Sequence, residues 1–127
     1  MSYIEELGEK AKIASRELLK IGTKTKNDVL LAIADELINK KEEIKAANKI
    51  DLEKGEKNGL SFALLDRMTL TDSRIEGMAQ SLREMAVFPD PIGEVVTGWN
   101  HKNGMSITKK RVPLGVIGMI YESRPNV

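Results

Sequence analysis

A chain of 127 residues with 20 Lys and Arg against 19 Asp and Glu allows one domain with a modest core and almost no net charge. That balance excludes the basic footprint of a nucleic-acid binder. The absence of cysteine excludes a disulfide scaffold or thiolate metal site, and the single histidine, His101, argues against zinc. No apolar stretch is long enough to span a bilayer, and Met1-Ser-Tyr-Ile-Glu-Glu lacks the regions of a signal peptide. The expectation is a cytoplasmic protein that makes no contact with membrane or nucleic acid.

Residues 1–90 read as helices. Ser2 and Glu5 have the spacing of a capping box, and Ile4, Leu7, Ala11, Ala14 and Leu18 then recur at helical spacing up to a stop at Gly22. Thr25 with Asp28 is a second, weaker box, ahead of an apolar face of Val29, Leu30, Ile33, Leu37 and Ile38. A third segment carries Ile44, Ala47 and Ile50, with Asn48, Gly55, Asn58 and Gly59 loosening it toward its end. Ser61 is placed to cap a short turn from Phe62 to Arg67, with Leu64 and Leu65 inward. Thr71 and Asp72 open the clearest helix, whose face is Ile75, Met78, Ala79, Leu82, Met85 and Ala86. Pro89-Asp-Pro91 ends it, because proline cannot continue a helix.

The apolar period changes after Pro91. Over residues 93–112, Glu94 to Trp99 and Met105 to Val112 read as two strands of a hairpin around Asn103-Gly104, with Asn100, His101 and Lys102 able to lengthen the loop. Lys109, Lys110 and Arg111 read as a solvated strand that resists edge pairing. Contact with a cofactor phosphate is the alternative. His101 reads as a loop residue.

Over residues 113–127, the apolar run Leu114 to Tyr121 is bounded by Pro113 and by the loop Glu122-Ser-Arg-Pro-Asn126. Such a run reads as a strand buried on both faces, which is typical of parallel α/β sheets. Gly115 and Gly118 form G-x-x-G and not the dinucleotide fingerprint, so their spacing alone makes them packing glycines. Ligands in open parallel sheets bind beyond the carboxyl ends of the strands, which makes Tyr121 to Asn126 the leading candidate site. The competing reading is a polar turn with Arg124 on the surface.

The stretch Arg111-Val-Pro-Leu-Gly-Val-Ile-Gly-Met-Ile-Tyr-Glu-Ser-Arg-Pro-Asn126 closely resembles the gamma-glutamyl phosphate reductases, a branch of the aldehyde dehydrogenase superfamily. Gly59-Leu-Ser-Phe-Ala-Leu-Leu-Asp-Arg-Met-Thr-Leu-Thr-Asp72 and Pro89-Asp-Pro-Ile-Gly-Glu94 are similar to the same family. Its members are much longer, so the chain resembles their amino-terminal part. The resemblance implies an α/β fold: amino-terminal helices, a hairpin belonging to the element through which subunits associate, and the first strand of a Rossmann-type domain. It also implies NADP as cofactor, gamma-glutamyl phosphate as substrate, and a homo-oligomer. By the same resemblance Tyr121, Glu122 and Ser123 lie on the cofactor side and Arg124 and Asn126 on the substrate side.

A superfamily asparagine after this strand helps hold the oxyanion. Ungapped counting from Gly118 puts Arg124 in that place, and an insertion puts Asn126 there. An arginine fork suits a substrate carrying a carboxylate and an acyl phosphate. The family's catalytic thiolate has no counterpart in this chain, which lacks cysteine. The expectation is NADPH-dependent reduction of gamma-glutamyl phosphate to glutamate-5-semialdehyde by the full-length protein, with this chain alone inactive. The alternative is a non-catalytic assembly module of helices and a hairpin.

Overall fold

The computed structural model describes residues 2–121 and 124–126. Its elements run α1 (Tyr3–Leu18), α2 (Thr23–Asn39), α3 (Lys41–Lys57), α4 (Phe62–Met68), α5 (Asp72–Val87), β1 (Val95–Asn100) and β2 (Ser106–Lys110). The chain divides into two compact units. One comprises Met1–Thr23 with Pro89–Gly118, and the other Lys24–Phe88 with Met119–Val127.

In the first unit, α1 begins at the expected capping box. The Ser2 hydroxyl accepts from the Glu5 amide, and the Glu5 carboxylate accepts from the Ser2 amide at 2.7 Å. The helix ends at Leu18, earlier than the expected stop at Gly22. None of its residues is buried. After α5, Asp90 organises the turn: one carboxylate oxygen accepts from the Ile92 amide at 3.0 Å and the other from the Thr23 hydroxyl at 2.9 Å.

The hairpin forms where the period change placed it, as an antiparallel β1–β2 ladder with Trp99 opposite Ile107 and Gly98 opposite Thr108. Its loop is longer than the Asn-Gly pair alone. His101 donates its amide to the Met105 carbonyl at 2.8 Å, and the Asn103 side chain accepts from the Met105 amide at 3.2 Å. Gly104 closes the loop at φ +87°, a conformation that other residues adopt only with strain. The register slips between Val95 and Thr97, a bulge of the kind that bends a strand.

Leu114 to Tyr121 departs from the expectation of a buried strand. It forms no ladder, and Leu114 and Ile120 are fully open to solvent. A parallel strand needs a neighbour reached by a crossover, and no other described segment provides one. Gly115 also takes φ +96°, which interrupts regular extension.

The second unit holds every buried apolar side chain among the described residues: Ala34, Leu70, Ile75, Ala79 and Ala86. The α5 face is the one its spacing indicated. Ile75, Ala79 and Ala86 are buried and Met78 and Leu82 are half-buried, while Met85 of the expected face stays exposed. Thr71 caps the helix by accepting from the Arg74 amide at 3.2 Å.

The other helices correct several expectations. α2 starts at Thr23, so Thr25 lies inside its first turn and caps nothing; Asp28 pairs with Lys24 instead. Its buried residue is Ala34, and Val29 and Ile33 of the expected face stay exposed. Ser61 occupies the N-cap of α4 without a side-chain hydrogen bond.

In α3 the inward positions are Ile44, Asn48, Leu52 and Gly55, whereas Ala47 and Ile50 are exposed. Asn48 and Gly55 do not loosen the helix. They are its two buried residues. Gly55 is required by close packing, since a Cβ there would sit 2.9 Å from Leu60 Cδ1 and 3.2 Å from Leu65 Cδ2. The helix ends in a Schellman turn. Gly59 takes φ +75°, its amide bonds to the Glu56 carbonyl, and the Leu60 amide bonds to the Gly55 carbonyl.

Asn48 uses both ends of its amide on the link between α4 and α5. Its Nδ2 donates to the Met68 carbonyl at 2.8 Å and its Oδ1 accepts from the buried Leu70 amide at 2.8 Å. Ion pairs span the helices around it: Lys45 with Asp72 at 2.6 Å and Arg83 with Asp35 at 2.8 Å. The Asp72 hydrogen bond, and secondarily that of Glu42, raises the Lys45 pKa, and the Lys45 hydrogen bond lowers that of Asp72.

Two outcomes follow from this packing. Asn48→Ala leaves the Met68 carbonyl and Leu70 amide without a partner and is expected to destabilise the unit by about 2–4 kcal/mol. Loss of hydrogen-exchange protection at the Leu70 amide would register it, and unchanged protection would contradict it. The Lys45–Asp72 pair contributes fully at neutral pH. Its contribution is lost as pH falls through the depressed Asp72 pKa, and again as pH rises through the elevated Lys45 pKa. Asp72→Asn is therefore expected to lower the melting temperature slightly at neutral pH and low salt, with the difference disappearing in acid and in high salt.

Candidate functional site

Two cavities of the second unit meet the 124–126 segment. The larger, about 970 Å3, has an apolar side from α2 and α5 that includes Ile33, Leu37, Met78 and Leu82. Arg124 and Asn126 line it, together with Arg67 and Arg74. The smaller, about 400 Å3, is lined by Asn48, Met68, Tyr121 and Arg124 among others. The structure thus brings Arg124 and Asn126 together in one cleft and puts Tyr121 on the other cavity, with Arg124 bordering both. Glu122 and Ser123 lie outside the described residues. The expected setting, a crevice at the end of a parallel strand, is absent among the described residues, and Arg124 to Asn126 line a cavity with helices instead.

The three arginines of the large cleft differ in what they have left to offer. Arg74 donates to the carbonyls of Asp66 and Thr69, the latter at 2.7 Å, and to the Asp66 carboxylate at 3.1 and 3.2 Å. Its fork fastens the end of α4 to the start of α5, and it is fully used there. The same contacts consume Asp66, the carboxylate on the cleft wall. Arg67 and Arg124 make no hydrogen bond or ion pair among the described residues. The cleft therefore offers two uncompensated guanidinium groups beside an apolar wall. Such groups bind carboxylate or phosphate oxygens through paired N–H donors.

Arg67 did not stand out in the sequence. It sits in Asp66-Arg-Met-Thr-Leu-Thr71, a stretch whose surface signature is that of an ordinary helix end. Only the pairing of its neighbour Asp66 with Arg74 shows that Arg67 is left without its adjacent carboxylate.

The basic run on the hairpin behaves as a solvated strand. Lys109 and Lys110 are exposed, and Arg111 pairs with Glu94 at 2.8 Å across the hairpin. His101 is a loop residue whose Nδ1 lies 2.9 Å from Asn103 Oδ1. Among the described residues no group of three or more His, Asp or Glu is placed to hold a metal ion, and no helix is long and apolar enough to cross a membrane.

No family model matches the chain. Curated relatives do. The gamma-glutamyl phosphate reductase of Campylobacter curvus is 57% identical over 127 residues, which is all of this chain and 29% of that protein. That of Halothermothrix orenii is 56% identical over 118 residues, covering 93% of this chain and 28% of the relative. The crystal structure of the gamma-glutamyl phosphate reductase of Thermotoga maritima matches with a TM-score of 0.95 at 38% identity, over 98% of this chain and 30% of that one. The Saccharomyces cerevisiae enzyme matches at a TM-score of 0.78 and 30% identity, over 85% of this chain and 28% of that one. The chain spans somewhat under a third of the length of these proteins. In sequence along its whole length, and in fold over nearly all of it, the chain belongs with the gamma-glutamyl phosphate reductases.

Proposed function

We propose that the protein to which this chain contributes reduces gamma-glutamyl phosphate to glutamate-5-semialdehyde and phosphate in proline biosynthesis, with NADPH as reductant. The observation that carries this reading is the 57% identity to a named reductase across every residue of the chain. The family resemblance supports assigning Tyr121, Glu122 and Ser123 of the motif to the cofactor, and Arg124 with Asn126 to the substrate. The described residues contain a two-stranded antiparallel sheet and no parallel crevice, so they do not by themselves form a dinucleotide site. The cofactor, when bound, supplies the hydride.

What this chain contributes is charge and shape. The substrate is a short methylene chain with an α-amino-acid group, carboxylate beside ammonium, at one end and an acyl phosphate at the other. The 970 Å3 cleft has room for it and an apolar wall for its methylenes. Arg124 presents a free fork to the reacting end, where negative charge grows as the acyl carbon is attacked. Arg124 or Asn126 holds the developing oxyanion. The nucleophile is a thiolate from outside these 127 residues, since the chain contains no cysteine.

The assay that tests the activity runs in reverse: glutamate-5-semialdehyde, phosphate and NADP are supplied, and reduced cofactor is followed by absorbance. Phosphate-dependent turnover is expected from the longer protein and none from residues 1–127 alone. Phosphate-independent oxidation of unrelated aldehydes would overturn the assignment. In the longer protein, Arg124→Ala is expected to weaken the acyl substrate by about 1.5–3 kcal/mol while leaving the cofactor constant within about twofold. Equal constants for parent and variant would make Arg124 a surface residue.

A further inference from the structure

We infer that Arg67 is a specificity-determining residue of the same cleft, binding the α-carboxylate of the substrate at the end remote from the reacting acyl group. This rests on the function proposed above and adds a residue that neither the loop motif nor the comparisons assign.

Three observations support it. Arg67 and Arg124 line one cavity. Neither has a hydrogen-bonded or ion-paired partner among the described residues, while the other arginine there, Arg74, spends its donors on Asp66 and Thr69. The acidic side chain next to Arg67, Asp66, is turned to Arg74 and does not neutralise it. Neither guanidinium is compensated within the fold, so each is available to an anionic group of a ligand in the cleft. A ligand with an acyl phosphate at one end, an amino-acid carboxylate at the other and methylenes between offers two oxygen groups that guanidinium forks bind. The cleft lining supplies two free arginines and apolar side chains. Arg124 belongs to the loop assigned to the reacting end, which leaves the carboxylate to Arg67. The Arg74 clamp on the Asp66 and Thr69 carbonyls fixes the backbone turn that carries Arg67, while the exposed Arg67 side chain is left free to reach a ligand.

The test uses Arg67→Gln and Arg67→Lys in the longer reductase, assayed in reverse with glutamate-5-semialdehyde and with 4-aminobutanal, the same aldehyde without its carboxylate. For Arg67→Gln, kcat/KM with the semialdehyde is expected to fall by about tenfold or more, with the phosphate and NADP constants within about twofold. With 4-aminobutanal, parent and variant should be equal, including equally unreactive. Arg67→Lys should recover part of the loss, since it restores charge without the fork. A semialdehyde constant unchanged in Arg67→Gln would overturn the inference. So would equal losses on both aldehydes, or a loss shared by phosphate and cofactor, which would mark a structural role. A parent without phosphate-dependent turnover would instead sink the proposed function, and this assignment with it.

Discussion

The side-chain amide of Asn48 is the contact on which the helical unit depends. In the link between α4 and α5, the Thr69 amide still bonds back to the Leu65 carbonyl of α4, but the Met68 carbonyl and the amide of the buried Leu70 lie beyond any ladder or helix bond. A buried amide without a partner would work against the fold. Asn48 answers a donor and an acceptor at once, a combination only an amide side chain offers at that length. The carbonyls nearby are taken by Arg74. With the link held from α3 and from α5, the end of α4 has one position, and the cleft wall that carries Arg67 follows from it.

Charge in the unit is divided between groups that hold helices together and groups left for something else. Lys45 with Asp72, Arg83 with Asp35, and Arg74 with Asp66 each join different elements. These exposed pairs add modest stability. The Arg74–Asp66 pair also takes up the cleft's carboxylate and one of its arginines, so neither is a free ligand group. What remains, Arg67 and Arg124, is an excess of positive charge that the fold does not use. In a chain with net charge of only +1, that local excess is not a consequence of composition. It is produced by which partners meet.

The first unit is of a different kind. α1 is amphipathic yet buries nothing, and the hairpin leaves Val95, Val96 and Trp99 about half exposed. Leu114 to Tyr121 shows the same surplus of apolar surface without backbone pairing. These segments carry the composition of buried structure but meet no covering layer within the described residues. The chain spans 29% of the Campylobacter curvus relative, so much of a reductase of that length lies outside the sequence described.

Some local signals in the sequence correspond to the structure, while the Thr25 box, the Ser61 cap and the Gly22 stop do not. The Ser2–Glu5 box, the Thr71 cap, most of the α5 face and the hairpin at Asn103-Gly104 each depend on residues a few positions apart. Family membership was equally legible, because whole motifs such as Tyr121-Glu-Ser-Arg-Pro-Asn126 are present in the primary structure. Tertiary structure alone decided the rest. Asn48 and Gly55 look like helix breakers until their neighbours are known: a carbonyl and amide from twenty residues on for one, and the methyls of Leu60 and Leu65 for the other. Ala34 is buried and its neighbour Ile33 is not, because adjacent helix positions point about 100° apart and only the tertiary contacts decide which direction meets another helix. Leu114 to Tyr121 has the composition of a strand, but a strand is defined by its partner, and pairing is not a property of one segment. Arg67 is one cation among 20 in the sequence, and it becomes a candidate ligand only when its adjacent carboxylate is seen bound to Arg74.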